Sequence, residues 1–99
     1  MKKVIVIEED GHGIIGVAKD YKSVIHFLIN NEWLSNHTDM YDNEREEYIE
    51  VEDILGENWK DIILNEWNID TFCKKFDSVF FLTEEEVFAQ FDDWREKHK

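Results

Sequence analysis

The sequence predicts an α+β fold, with a small and mostly antiparallel sheet of three to four strands packed by about four helices. Short β-branched runs predict the strands, and apolar residues at helical spacing predict the helices. A hydrophobic share of 42% supplies a core without disulfides. Because 99 residues contain no proline and no Gly/Ser linker, we expect a single domain over residues 1–99.

The first predicted elements are an N-terminal β-hairpin and a helix. Residues 4–7 and 14–18 read as strands, and the glycines in the connection 9–13 permit a positive φ. Asp20 is a suitable N-cap for the helix that follows. Its apolar residues repeat at i, i+3, i+4 and i+7: Tyr21, Val24, Ile25 and Leu28.

The middle of the chain predicts a loop, a strand and two helices. Residues 30–43 are polar and rich in turn formers, which favours a surface loop. Residues 46–52 predict a half-exposed strand, with Glu46, Tyr48, Glu50 and Glu52 on one side and Glu47, Ile49 and Val51 on the other. Aromatic and aliphatic residues at helical spacing indicate helices over 59–67 and 69–76.

The C-terminal part predicts a strand and a fourth helix. Residues 79–82 form an apolar run typical of a central strand. Thr83 and Glu86 match the S/T-x-x-E capping box at the start of a helix. The stripe expected on that helix consists of Val87, Phe88, Phe91 and Trp94.

Acidity is the dominant feature of the composition. The net charge of -13 repels nucleic acid and anionic lipid, so we expect neither direct nucleic-acid binding nor membrane binding. Residues 39–57 contain nine acids and one Arg, which is most of that excess. The same charge attracts basic proteins, and a basic nucleic-acid-binding protein is the expected partner.

On a strand, Glu46, Glu50 and Glu52 would project to one side, with neighbours about 6.6 Å apart. That spacing suits the Lys and Arg rows that normally hold a nucleic-acid backbone. The alternative is a solvated face that only keeps a small protein soluble. The residues expected to bind a partner are Asp39, Asp42, Glu44, Glu46, Glu47, Glu50, Glu52, Asp53, Trp33 and Tyr48. Trp33 is either an exposed anchor or a cap on the core.

Two patterns resemble ligand sites but lack the required chemistry. Residues 11–16 spell G-x-G-x-x-G, yet three acids precede them and no βαβ unit follows. Residues 39–50 have the length of a calcium loop, but Tyr41 and Glu44 occupy the positions that need an oxygen ligand and a glycine. We therefore expect no cofactor and no metal.

No catalytic motif stands out either. The four histidines lack metal-ligand spacing, and no serine lies in a G-x-S-x-G elbow. Cys73, the single cysteine, lies on an apolar stripe and reads as a buried hydrophobe. We expect a binding protein rather than an enzyme. The lone cysteine and the short N-terminal apolar run predict a cytoplasmic protein.

Residues 16–21 (GVAKDY), 24–28 (VIHFL) and 55–61 (LGENWKD), with the acidity and lack of proline, give the chain a family resemblance. It resembles small accessory proteins of phages and mobile elements in Gram-positive bacteria. In size and charge it is most similar to anti-CRISPR inhibitors of type II systems. That resemblance implies a cytoplasmic inhibitor, in the bacterial host, of an RNA-guided nuclease at its guide-RNA or target-DNA surface.

An alternative is a phage regulator or adaptor that docks through an aromatic patch without mimicking nucleic acid. The residues of that patch would be Trp33, Leu34, Met40 and Tyr41. The protein would act as a monomer or a homodimer.

Overall fold

A computed structural model describes residues 2–87, with Lys2 and Val87 described by their backbone only. The α+β fold and the N-terminal hairpin are confirmed. The elements in chain order are β1 (Lys2–Glu9), β2 (Gly13–Ala18), α1 (Tyr21–Asn30), β3 (Asp39–Asp42), β4 (Glu47–Glu50), α2 (Val51–Leu55), α3 (Trp59–Asn65), α4 (Ile69–Lys75) and β5 (Phe80–Val87).

The main sheet is antiparallel, in the order β2-β1-β5. Its central strand is β1, where Ile5 and Ile7 face the core and are buried. The prediction that residues 79–82 form the central strand is wrong, because among the described strands β5 pairs with β1 alone and lies at the edge of the sheet. A run of consecutive apolar residues predicts a central strand, although the same run also occurs in an edge strand such as β5.

Helix α1 forms as its pattern predicts. The Asp20 carboxylate accepts a 2.8 Å hydrogen bond from the Ser23 amide, which satisfies a free donor at the helix start and lowers the pKa of Asp20. The buried positions are Val24, Ile25 and Leu28. The Tyr21 hydroxyl donates to the carbonyl of Ile63 at 2.6 Å and so ties α1 to α3.

Three phenylalanines form the centre of the core. The rings of Phe72 on α4 and Phe76 at its C-terminal cap lie 4.7 Å apart, and each lies 6.0 Å from Phe80 at the start of β5. All three side chains are buried. Aromatic packing therefore fixes α4 against the main sheet.

Residues 39–50 depart from the predicted loop and strand. The loop contains a strand, β3, which pairs with β4 in a separate two-stranded sheet. The predicted strand over 46–52 is wrong at both ends: Glu46 lies in the turn with φ 54°, and Val51 begins α2. Burial of Val51, whose amide donates to the Thr38 carbonyl, directs the chain inward at that point.

The predicted C-terminal helix is wrong over its first turn. Thr83 and Glu86 belong to β5 and not to a capping box, because the backbone from Phe80 to Val87 pairs along the whole of β1. A second strand partner for β1 outweighs a local helix signal. The rest of the predicted stripe, Phe88, Phe91 and Trp94, lies outside the described residues.

Candidate functional site

The β3–β4 hairpin holds most of the carboxylates expected to bind a partner. Met40 and its cross-strand partner Ile49 share one face, and Met40 is buried in the core. The opposite face therefore points outward, because side chains alternate along a strand. We call residues 39–50 the acidic hairpin.

The outward face of the acidic hairpin combines carboxylates with tyrosines. Asp39 lies directly opposite Glu50, and Tyr41 lies opposite Tyr48. The two tyrosine rings meet edge to face, with centroids 5.3 Å apart. Carboxylates beside aromatic rings form an environment that favours the side chains of Arg and Lys.

Tyr48 is held in place by a residue distant in sequence. Its hydroxyl donates to Asp77 Oδ1 at 2.8 Å, and this hydrogen bond raises the pKa of Tyr48. The Tyr48 side chain nevertheless stays 46% exposed. It thus presents a fixed aromatic surface to solvent.

Like charges face each other twice across this short hairpin. Asp39 lies opposite Glu50, and Asp42 lies opposite Glu47. Directly opposed like charges destabilise a pair of strands. The hairpin therefore forms despite its charges, through the burial of Met40 and the pairing of the tyrosines.

Few cations neutralise this surface. Arg45 Nε lies 3.6 Å from Asp42 Oδ2, and His37 Nδ1 lies 3.1 Å from Glu50 Oε2. The other carboxylates expected to bind a partner have no Lys or Arg nitrogen of the described residues within 4.0 Å: Asp39, Glu44, Glu46, Glu47, Glu52 and Asp53. A basic partner would meet them largely unpaired.

The loop before β3 adds His37 to the site, a residue that sequence reasoning did not select. The hydrogen bond with Glu50 raises the pKa of His37, and the charge of Glu50 and the more distant charges of Glu52 and Asp53 raise it further. Asn36 donates from Nδ2 to Glu52 Oε2 at 3.0 Å. The proximity of His37 to Asp39 in sequence was the one available signal.

The predicted row of Glu46, Glu50 and Glu52 on one strand is wrong. Glu46 lies in the turn, Glu50 ends β4 and Glu52 lies in α2. Glu46 and Glu52 are both exposed even though they do not share a strand. The three carboxylates therefore lie on three different elements and not on one strand.

The predicted aromatic patch is wrong in two of its members. Leu34 and Met40 are only 2% and 1% exposed, so both belong to the core. Trp33 is half-buried against the core, and its ring lies edge-on to His12, with centroids 5.1 Å apart. Trp33 therefore caps the core near the first hairpin, and of the four residues Tyr41 alone lies on the outward face of the acidic hairpin.

The remaining nucleophile and metal candidates show no assembled site. Partial burial raises the pKa of the Cys73 thiol, which keeps it protonated at neutral pH. Within residues 2–87, His, Cys, Asp and Glu side chains form no group of three or more that could hold a metal ion.

The helices of the described residues are all too short or too polar to cross a membrane. Comparison of the chain with protein-family models, curated proteins and solved structures gave no match.

Proposed function

We propose that this protein binds a basic, nucleic-acid-binding protein through the acidic hairpin and competes with nucleic acid for that surface. The observation that carries the proposal is the pair of opposed like charges on the outward face, Asp39 with Glu50, while Asp42 with Glu47 is a second such pair on the other face of the hairpin. The hairpin loses stability by keeping them, whereas a basic partner would relieve the repulsion on binding.

The position of the charges favours this function over mere solubility. A soluble surface needs carboxylates, but it does not need them opposite each other on neighbouring strands. With a net charge of -13, replacing one acid of each pair would leave the protein strongly charged. The repulsion between Asp39 and Glu50 on the outward face is useful when that face binds cations.

The outward face suits arginine in particular. A guanidinium group stacks on aromatic rings and forms paired hydrogen bonds with a carboxylate. Tyr41 and Tyr48 supply the rings, and Asp39 and Glu50 supply the carboxylates beside them. The same arginines on a partner would otherwise hold phosphates.

The resemblance to type II anti-CRISPR inhibitors suggests a specific partner, an RNA-guided nuclease in the cytoplasm of a bacterial host. Its guide-RNA and target-DNA channels are rich in Lys and Arg. The proposed action is to block binding of guide RNA or target DNA at such a channel.

The test uses a type II nuclease, its guide RNA and a labelled DNA target. Binding of the protein to the nuclease and inhibition of DNA cleavage are measured at low and high salt for the wild type and two charge-matched variants. One variant carries Asp39→Asn and Glu50→Gln. The other carries Glu57→Gln and Glu66→Gln, which remove two exposed carboxylates that do not belong to the acidic hairpin.

We expect the hairpin variant to bind about tenfold or more weakly, since two charge-assisted contacts are lost. The control should stay within about twofold of the wild type. An equal loss of nuclease binding in both variants would show that only the net charge matters, and it would overturn the proposed site. Absence of binding at low salt would overturn the proposed partner.

A further inference from the structure

The outer face of the main sheet is apolar and belongs to a different sheet from the acidic hairpin. Ile5 and Ile7 point into the core, so Val4, Val6 and Glu8 point outward. Residues opposite them share that face: Val17 lies opposite Val6, and both Ile14 and Phe81 lie opposite Glu8. We call Val4, Val6, Ile14, Val17 and Phe81 the outer sheet face.

This face is exposed to an unusual degree. Ile14 is 66% exposed, Phe81 44% and Val17 38%. Together with Tyr48, they are the large hydrophobic side chains that the described part of the chain exposes. None of the five residues packs against the core. Several exposed large apolar side chains on one face of a sheet mark an interaction site.

The charges on the face indicate which occupant it suits. Glu8 lies between Ile14 and Phe81, and Glu85 lies opposite Val4. Among the described side chains of this face, the charged ones are thus carboxylates. A second copy of the chain would bring carboxylates against carboxylates, whereas a partner with Lys or Arg beside its apolar residues would pair with them.

The dimensions of the face match one helix. Three strands spaced about 4.8 Å apart place the outer two about 10 Å apart, close to the diameter of a helix. From Val4 to Glu8 the strand rises about 13 Å, the length of about nine helical residues.

We infer that the outer sheet face binds an amphipathic helix of a partner protein, with basic residues about seven positions, or two turns, apart beside its apolar stripe. The inference does not depend on the acidic hairpin. It assigns the protein a second docking surface of different chemistry.

The probe is a helical peptide of about 18 residues, with leucines at helical spacing and lysines about seven positions apart on one side of the apolar stripe. A second peptide keeps the lysines and replaces the leucines by glutamine. Affinities are measured by fluorescence anisotropy for the wild type, for Ile14→Ser with Phe81→Ser, and for Tyr48→Ser. Tyr48 is the matched control because it is exposed and apolar but lies on the other sheet.

We expect the wild type to bind the leucine peptide about tenfold more tightly than the glutamine peptide. The Ile14 and Phe81 variant should lose this preference, and Tyr48→Ser should keep it. The Asp39→Asn and Glu50→Gln variant should also keep it, which separates this surface from the proposed function. Ile14→Lys changes the most exposed position alone, and it should likewise abolish the preference.

Three results would overturn the inference. The first is a preference for leucine that survives in the Ile14 and Phe81 variant. The second is a dimer of the wild type, seen by sedimentation, that the same variant dissociates, because the occupant would then be a second copy. The third is an unfolding midpoint several degrees lower in that variant with unchanged peptide binding, because the face would then be covered within the chain.

Discussion

Removing the charge of Asp39 should stabilise the protein. Asp39 is exposed and lies directly opposite Glu50. Two unit charges about 6 Å apart in water repel each other by about 0.7 kcal/mol, and in a low-salt buffer of about 0.02 M ionic strength screening leaves about 0.5 kcal/mol. That value falls within the usual range for opposed like charges on neighbouring strands. Asp39→Asn should therefore raise the free energy of unfolding by about 0.5 kcal/mol.

The corresponding change in melting temperature follows from chain length. For 99 residues the unfolding entropy is about 0.2 kcal/mol per kelvin, so about 0.5 kcal/mol corresponds to about 2 to 3 °C. Thermal unfolding followed by circular dichroism resolves this difference. Alkaline buffer gives the largest effect, because a protonated His37 would partly neutralise Glu50.

A double-mutant cycle isolates the pair. In a Glu50→Gln background the gain from Asp39→Asn should fall to nearly zero, and it should shrink in high salt. Glu44→Gln removes the same charge from an exposed turn position and should change the melting temperature by less than about 1 °C. An equal gain in both backgrounds would refute the pairwise repulsion, and a loss of stability on Asp39→Asn would show that Asp39 makes a favourable contact instead.

Two further predictions concern His37 and Gly16. Because Glu50 raises the pKa of His37, its imidazole should titrate above the ordinary value of about 6.5 in an NMR experiment, and Glu50→Gln should lower the midpoint while Glu44→Gln leaves it in place. The stability linked to the His37 charge is complete below pH about 6.5 and is lost as pH rises through the raised pKa. An unshifted midpoint in the NMR titration of His37 would contradict its contact with Glu50. A Cβ at position 16 would lie 2.6 Å from Phe27 Cζ, so Gly16→Ala should cost about 1 to 3 kcal/mol in denaturant unfolding. Phe27→Leu should recover part of that loss, and a fully stable Gly16→Ala would show that the ring moves freely.

Elements with strong local signals could be predicted from the sequence. The glycines of the first turn and the Asp20 cap specify the N-terminal hairpin and α1 through local interactions. Helix α4 likewise follows its apolar spacing, and its Asn68 cap accepts from the Thr71 amide. These signals act within a few residues, so a single sequence displays them.

Elements that depend on distant partners could not be predicted. Strand β5 extends through Thr83 to Val87 because β1 offers it a paired edge, which no local pattern near residue 83 reveals. Similarly, β3 is a strand because β4 pairs with it, although its residues read as a loop. The acidic region was found by composition, but its hydrogen bonds to His37 and Asp77 arise only on folding.

The pairing of β1 with β5 also constrains how the molecule forms during synthesis. Lys2 pairs with Val87, so the central strand emerges from the ribosome first and its second partner emerges last among the described elements. Contacts between residues so far apart in sequence slow folding, because a long loop must close before they form. Until then the free edge of β1 stays open to unwanted pairing. The three-stranded sheet is therefore completed only once residue 87 has been made, whereas the β1–β2 hairpin can form much earlier.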